Sequence, residues 1–121
     1  MNIPDKEGLG REVARVLKPG GCFSCNEIAQ GTGGAPVFPL AWATDEASSF
    51  LVSPAVMRAV LEGSGLSIVE QVDLTATRLG EETGRTPIIE LDDFSLRRQN
   101  LQSCLADRRL LAQFILAEKS A

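Results

Sequence analysis

The chain has 121 residues, 44% of them apolar and 23% charged, which allows one globular domain with a modest core. Its net charge of −4 argues against a basic nucleic-acid-binding surface, and no apolar run approaches the ~20 residues of a membrane span. The absence of histidine excludes Ser-His-Asp and Cys-His catalytic arrangements and histidine-containing zinc sites. We therefore expect a cytoplasmic protein with no nucleic-acid or membrane partner, no recognisable catalytic residues and no bound metal.

Apolar residues at helical spacing predict a first helix over residues 7–17, with Asp5 as its N-cap. The helix should end at Lys18-Pro19-Gly20-Gly21, because proline biases the preceding residue away from helix and glycine tolerates a positive φ. The largely apolar run over residues 22–28 then predicts a strand that is covered on both faces, as in α/β sheets.

The spacing of Cys22 and Cys25 is that of a C-x-x-C motif, and Cys104 lies far along the chain. A redox dithiol normally lies at a helix N-terminus, whereas this pair lies within a predicted strand, where positions three apart point to opposite faces. A zinc site would need a fourth ligand. We therefore interpret these residues as buried strand cysteines in a reducing compartment.

The segment after this strand is rich in glycine, proline and aromatic residues. Gly31-Thr32-Gly33-Gly34 could cradle a phosphate, but it lacks the Lys-Ser/Thr ending of a P-loop, so a hinge or the base of a lid is the preferred interpretation. Phe38, Trp42 and Phe50 suggest either a hydrophobic lid over a pocket or a small local core. In either case we expect Trp42 to be at least partly buried, against Phe38 or Phe50.

The remaining pattern predicts two more helices and two more strands. The helices cover residues 54–62 and 94–106, and the strands cover residues 66–74 and 110–117, with a polar segment at 75–87 that could hold a short helix. Ser53 before Pro54 is an N-cap signal. The adjacent acids Asp92 and Asp93 could be a catalytic pair, but their position before a helix favours capping.

Three stretches resemble class I S-adenosylmethionine-dependent methyltransferases, closest to the type 11 branch of sarcosine and dimethylglycine methyltransferases. Residues 11–21, Arg-Glu-Val-Ala-Arg-Val-Leu-Lys-Pro-Gly-Gly, and residues 1–6, Met-Asn-Ile-Pro-Asp-Lys, resemble the region after the fourth strand of that family. Glu27-Ile28, Trp42 and residues 49–51, Ser-Phe-Leu, resemble the region over the substrate pocket. Asp93-Phe94, Asn100-Leu101 and Gln113 resemble the closing helix and strand.

The resemblance implies an α/β, partial Rossmann-like methyltransferase fold, with residues 1–121 forming a single domain equivalent to the C-terminal half. Its three-stranded mixed sheet should have the spatial order 22–28, 110–117, 66–74, with the last strand antiparallel between the others and helices covering the faces. The glycine-rich turn and the acidic residue with which the family binds S-adenosylmethionine would lie upstream of Met1. Nothing in the chain replaces them.

The resemblance thus implies a truncated methyltransferase-like protein that does not bind S-adenosylmethionine or transfer a methyl group alone. By resemblance, Asn2 and Lys6 are candidates for a cofactor edge, and Glu27, Phe38 and Trp42 for a substrate surface. The alternatives are a methyltransferase completed by a separate chain that carries the cofactor half, or a small-ligand-binding or assembly module. We expect a homo-oligomer, most simply a dimer, because the strand over 22–28 would lack a neighbour along one edge.

Overall fold

The computed structural model describes residues 1–82 and 93–121, and its elements follow the predicted order. The helices are α1 (Lys6–Val16), α2 (Pro54–Gly63), α3 (Thr75–Glu82) and α4 (Phe94–Ala106), with a short 3-10 helix at Glu46–Ser48. The strands are β1 (Cys22–Gln30), β2 (Leu66–Asp73) and β3 (Leu110–Lys119). The suggested cap Asp92 lies outside the described residues. None of the described helices is both long and apolar enough to cross a membrane.

The three strands form one sheet in the order β1-β3-β2, and β3 runs antiparallel to both neighbours. The predicted order and the insertion of the last strand are therefore confirmed. Because both pairings are antiparallel, the described sheet is antiparallel, where we expected a mixed sheet. Gln113 of β3 lies opposite Glu27 of β1 and opposite Asp73 of β2, so this residue joins the two outer strands.

Helices α1 and α2 cover one face of the sheet. Met57 and Leu61 of α2 pack on Ile115 and Ala117 of β3, and all four side chains are buried. The two helices approach closely at Gly10, where an added Cβ would overlap the hydroxyl of Ser64. These contacts form the hydrophobic core on this side of the sheet.

The opposite face is covered only at one end. There α4 supplies Cys104 and Leu105, which pack with Leu110 and Ala112 of β3 and Ile28 of β1. Farther along β3, the half-buried side chains Phe114 and Leu116 belong to neither buried cluster, and neither does Val72 of β2.

The prediction that β1 is covered on both faces is therefore wrong at its amino-terminal end. Cys22, Ser24 and Asn26 are exposed on the partly covered face, because no described helix covers this part of that face. The expectation of a buried Cys22 is wrong for the same reason, whereas Cys25 points to the opposite face and is half-buried.

Two of the three predicted N-cap residues in the described chain form a capping hydrogen bond with their side chains. The Gly8 amide donates to Asp5 Oδ1 at 2.8 Å, and the Val56 amide donates to Ser53 Oγ at 3.2 Å. Asp93 occupies the N-cap position of α4 but accepts no capping hydrogen bond. Its carboxylate is instead 2.7 Å from Nε of Arg97, one turn into the helix.

The glycine-rich segment after β1 lies directly against the backbone that enters β3. The Gly31 amide donates to the Arg109 carbonyl, and the Gly33 amide donates to the Arg108 carbonyl, each at 2.9 Å. These amides are therefore occupied and do not form a phosphate cradle. A Cβ at Gly31 would overlap the Arg108 carbonyl oxygen, so the close approach requires glycine.

We expect Gly31→Ala to lower the free energy of unfolding by about 1–3 kcal/mol, because the added methyl group must displace backbone atoms. Gly80→Ala is the matched control: this glycine lies in α3 with open space around its Cβ position. Its replacement should raise the free energy of unfolding by about 0.5–1 kcal/mol. Urea denaturation followed by Trp42 fluorescence measures both, and similar values for the two variants would contradict the packing argument.

Candidate functional site

Two cavities flank Gln113 where β3 meets the outer strands. The smaller cavity has a volume of about 80 Å³ and is lined by Met1, Asn26, Glu27, Ile28, Leu74, Arg78, Ala112 and Gln113. The larger has a volume of about 310 Å³ and is lined by Pro54, Gln71, Val72, Asp73, Leu111, Ala112 and Gln113. Polar residues are thus concentrated at one end of an otherwise apolar sheet.

A chain of side-chain hydrogen bonds passes through Gln113, which is only 3% exposed. Its Nε2 donates to Glu27 Oε1 at 3.0 Å, and its Oε1 accepts from Gln71 Nε2 at 3.2 Å. The Gln71 amide also donates to the Pro54 carbonyl at 2.9 Å. Because each amide has a defined partner, the chain fixes the orientation of the Glu27 carboxylate.

A second polar cluster is centred on Asp73 at the end of β2. Its carboxylate accepts from Arg108 Nη2 at 2.6 Å and from both the amide and the hydroxyl of Thr75. The Thr75 hydroxyl is in turn 3.1 Å from the Ala112 amide of β3. Burial alone would raise the pKa of Asp73, but these hydrogen bonds outweigh it and lower the pKa to about 2.

The structure places the proposed cofactor-edge residues near this end of the sheet. Asn2 is exposed, and Lys6 is half-buried at the first position of α1. Burial lowers the pKa of the Met1 amino group, the nearby Lys6 cation lowers it further, and the Glu27 carboxylate opposes both effects. Lys6 and Glu27 therefore lie around the same point, although Lys6 lines neither cavity.

Of the three proposed substrate residues, only Glu27 lines either of these cavities. Phe38 and Trp42 are half-buried and pack against the cluster beneath α4, and Trp42 Nε1 donates to Ser49 Oγ at 3.0 Å. The prediction that Trp42 is at least partly buried is confirmed. The placement of these two aromatic side chains favours a small local core over an open lid.

Helix α4 holds this aromatic segment through polar contacts. Arg97 donates to the Leu40 carbonyl and Asn100 Nδ2 donates to the Pro39 carbonyl, the latter at 3.0 Å. The Val37 amide lies 3.3 Å from Cys104 Sγ. Both residues that capture the segment, Arg97 and Asn100, lie one turn apart on the same helix.

The cysteines do not form a reactive pair. Cys22 and Cys25 are free thiols on opposite faces of β1, and burial followed by the nearby Glu27 charge raises the pKa of Cys25 to about 11. A thiol with such a pKa stays protonated near neutral pH, so Cys25 is a poor nucleophile. Within residues 1–82 and 93–121, no group of three or more metal-ligating side chains is present.

Sequence reasoning did not identify Gln71, Asp73, Arg78 and Arg108 as site residues. Gln71 and Gln113 carry a usable signal, since each is an uncharged polar residue inside an apolar strand. Arg108 carries none, because its role depends on a left-handed backbone conformation (φ 60°) that brings it back to Asp73.

No protein-family model and no curated protein matches the sequence. Solved structures nevertheless share its fold. Geranyl diphosphate C-methyltransferase from Streptomyces coelicolor matches 98% of this chain and 44% of its own, with a TM-score of 0.74 and 18% identity. The match to phosphoethanolamine N-methyltransferase 2 from Haemonchus contortus covers 98% of this chain and 31% of that protein's chain, with a TM-score of 0.72 and 17% sequence identity. The match to a putative sarcosine dimethylglycine methyltransferase from Galdieria sulphuraria covers 99% of this chain and 49% of that protein's chain, with a TM-score of 0.65 and 18% sequence identity.

The chain has the fold of part of an S-adenosylmethionine-dependent methyltransferase domain. It spans between 31% and 49% of the length of these three methyltransferases. Their sequence identity to this chain is low, so the matches establish a methyltransferase-like fold. They do not establish a substrate or an activity for this chain.

The Asp73 cluster predicts an acid-sensitive contribution to stability. Because the folded pKa is about 2 and the ordinary value is 3.8, the contribution is complete above pH 3.8 and is lost as the pH falls towards 2. We expect Asp73→Asn to lower stability at neutral pH, with the difference from the original chain shrinking below pH 3.8.

Urea denaturation at several pH values measures this difference. Asp73 is 46% exposed at its side chain, so the effect should be moderate and should weaken in high salt. Glu70→Gln, at an exposed acid of the same strand, is the control. A difference that stays constant down to pH 2 would contradict the assignment to Asp73.

Proposed function

We propose that this chain is a methyltransferase-like module, equivalent to the C-terminal half of the domain, that acts through association and does not bind S-adenosylmethionine or transfer a methyl group alone. The observation that carries the proposal is the open outer edge of β1. This edge exposes backbone groups at a position where a sheet normally continues.

Two observations on the described residues support the proposal that the chain does not bind S-adenosylmethionine. The amides of Gly31 and Gly33 already donate to carbonyl groups of the chain, so they are not available to a carboxylate or a ribose. Asn2 and Lys6, the candidates for a cofactor edge, line neither cavity beside Gln113. No step of methyl transfer is therefore assigned to this chain.

Hydrogen bonds at the ends of β1 establish which residues face outwards. In an antiparallel pair, successive residues alternate between bonding to the partner strand and pointing away from it. The Gly31 amide donates to Arg109, at the entry to β3, whereas the Gln30 amide donates to Val52 on the other side, at 2.9 Å in both cases. The backbone N–H and C=O groups of the even-numbered residues of β1 therefore point away from β3.

Three of these even-numbered residues are exposed and accessible to a partner. No described residue outside the β1–β3 ladder forms a backbone hydrogen bond with Cys22, Ser24 or Asn26. The strand contains no lysine, arginine or proline, and its one charged residue, Glu27, is bonded to Gln113. These properties favour pairing with another strand.

The outer edge of β2 is a less suitable surface. Its register shifts between Ile68 and Glu70, and such an irregularity twists a strand away from a regular partner. It also carries the acids Glu70 and Asp73. We therefore assign the association to β1, with a second copy of the chain as the partner in an antiparallel two-fold pair.

A separate chain that supplies the rest of a methyltransferase domain is the second candidate. The partly covered sheet face favours it, because Phe114 and Leu116 of β3 and Val72 of β2 lie outside both buried clusters. A continuous sheet between two copies would leave this face open. A partner that adds both a strand and a covering helix would bury it.

Calorimetric titration of the isolated chain with S-adenosylmethionine tests the first part of the proposal. We expect no saturable binding heat, while the geranyl diphosphate C-methyltransferase from Streptomyces coelicolor serves as the positive control. Saturable binding by the isolated chain would overturn this part, and binding that requires an added second polypeptide would favour the second candidate.

Sedimentation equilibrium of a matched pair of variants tests the edge assignment. Ser24→Lys places a cation beside the open edge of β1, and Ser67→Lys places one on β2, at an exposed serine in each case. We expect the original chain and Ser67→Lys to be dimers and Ser24→Lys to be a monomer, because an edge lysine opposes strand pairing. A monomeric original chain, or a dimer that survives Ser24→Lys, would overturn the assignment.

A further inference from the structure

We propose that residues 37–44 form a strap that opens from α4 as one unit, with Arg97 as its latch, and that opening exposes the thiol of Cys104. The strap lies between β1 and the 3-10 helix at Glu46–Ser48. This device lies wholly within one chain, and it depends neither on the association proposed above nor on S-adenosylmethionine.

The strap is held by three side chains on one face of α4. Arg97, Asn100 and Cys104 follow one another at spacings of three and four residues, so they lie on the same side of the helix. Their partners in the strap are three backbone groups, the carbonyls of Leu40 and Pro39 and the amide of Val37. Within residues 1–82 and 93–121, the strap forms no backbone–backbone hydrogen bond to another element. Its polar attachments to the rest of the fold therefore come from α4.

The internal hydrogen bonds of the strap allow it to move as a unit. The Leu40 amide donates to the Ala43 carbonyl at 2.7 Å, and the Ala43 amide donates to the Leu40 carbonyl at 3.2 Å, so the tip needs no outside partner. The amides of Gly33 and Phe50, on either side of the strap, are bonded elsewhere in the chain at 2.9 Å. Gly34 follows the first of these anchors with a φ of 118°, a conformation that favours glycine and provides a hinge.

Arg97 joins the strap to the helix at more points than any other side chain of α4. Its guanidinium donates to the Leu40 carbonyl and, through Nη2, to the Thr44 hydroxyl at 3.1 Å. Its Nε donates to the Asp93 carboxylate at 2.7 Å, one turn back along the chain. The Arg97 side chain is only 23% exposed, so solvent screens these bonds less than those of a surface ion pair. Because the ion pair orients the guanidinium, Asp93 is a positioning residue for the latch.

Leu40 and Cys104 show what the closed strap covers. Both are fully buried in the same cluster beneath α4, and the Val37 amide lies 3.3 Å from Cys104 Sγ. A thiol without exposed surface reacts with a reagent in solution only after neighbouring atoms have moved away. Release of the strap breaks few contacts and leaves the sheet intact, so it should require less free energy than global unfolding. Cys104 is therefore a reporter of this opening that the chain itself supplies.

Thiol labelling of the full chain measures the opening. Cys22→Ser and Cys25→Ala leave Cys104 as the only thiol, and its thiolate releases one thionitrobenzoate from dithiobis(nitrobenzoic acid) as the mixed disulfide forms. We expect labelling that hardly depends on urea at low concentration and is faster than global unfolding allows, with global unfolding followed by circular dichroism. A labelling rate that has the urea dependence of global unfolding at every concentration would overturn the proposal.

Two variants in this background test whether Arg97 is the latch. Arg97→Gln should increase the labelling rate without urea about tenfold, because it removes a charged donor to the strap. Arg58→Gln is the matched control, since it removes another ion pair between residues four apart, Arg58–Glu62 on α2, and should leave the rate unchanged. Equal acceleration by the two variants would overturn the assignment of the latch.

Asp93→Asn and the Val37 amide test the remaining parts of the proposal. Asp93→Asn leaves every direct contact of the strap in place, yet it should accelerate labelling about threefold, because Arg97 loses the partner that orients it. If the strap opens as a unit, Arg97→Gln accelerates hydrogen exchange of the Val37 amide by the same factor as labelling of Cys104. Different factors would contradict a single opening unit, and an unchanged rate for Asp93→Asn would refute its positioning role.

Discussion

Every backbone pairing of the sheet involves β3, the last strand along the chain. β1 and β2 have no register with each other, so neither can join a sheet until the C-terminal residues have folded between them. β3 also supplies the centre of both cores, with Ile115 and Ala117 on the α1–α2 side and Leu110 and Ala112 on the α4 side. The order of the chain and the order of the sheet therefore differ, and folding must close long loops before the main contacts form.

Gln113 shows what the central position of β3 makes possible. A buried amide at this point reaches Glu27 on one outer strand and Gln71 on the other, so a single residue couples the polar groups of all three strands. Its burial is tolerated because both ends of the amide are hydrogen-bonded. An apolar residue here would pack well but would leave the Glu27 carboxylate without a donor.

Local patterns in the sequence were sufficient to predict the helices and strands and their order along the chain. They were insufficient to predict which faces of the strands are covered by helices. Apolar spacing and the cap Ser53 predicted α2 closely, and the resemblance to methyltransferases predicted the insertion of β3. The open face at Cys22 was not predictable, because an apolar strand pattern cannot reveal whether a helix is present to cover it. Arg108 was missed for a similar reason, since its contact with Asp73 depends on one left-handed residue and on tertiary closure.

The exposed end of β1 and its hydrogen-bonded carboxylate occupy different parts of the strand. At its amino-terminal end, Cys22 and Ser24 are exposed and line neither cavity, whereas Ile28 and Ala29 near the other end are buried. Glu27 is one of the odd-numbered residues, whose backbone groups face β3, and its carboxylate accepts a hydrogen bond from Gln113 of β3. The Glu27 carboxylate is held by a side chain of β3, so pairing of a partner strand with the outward groups of Cys22, Ser24 and Asn26 would not remove the donor that orients it.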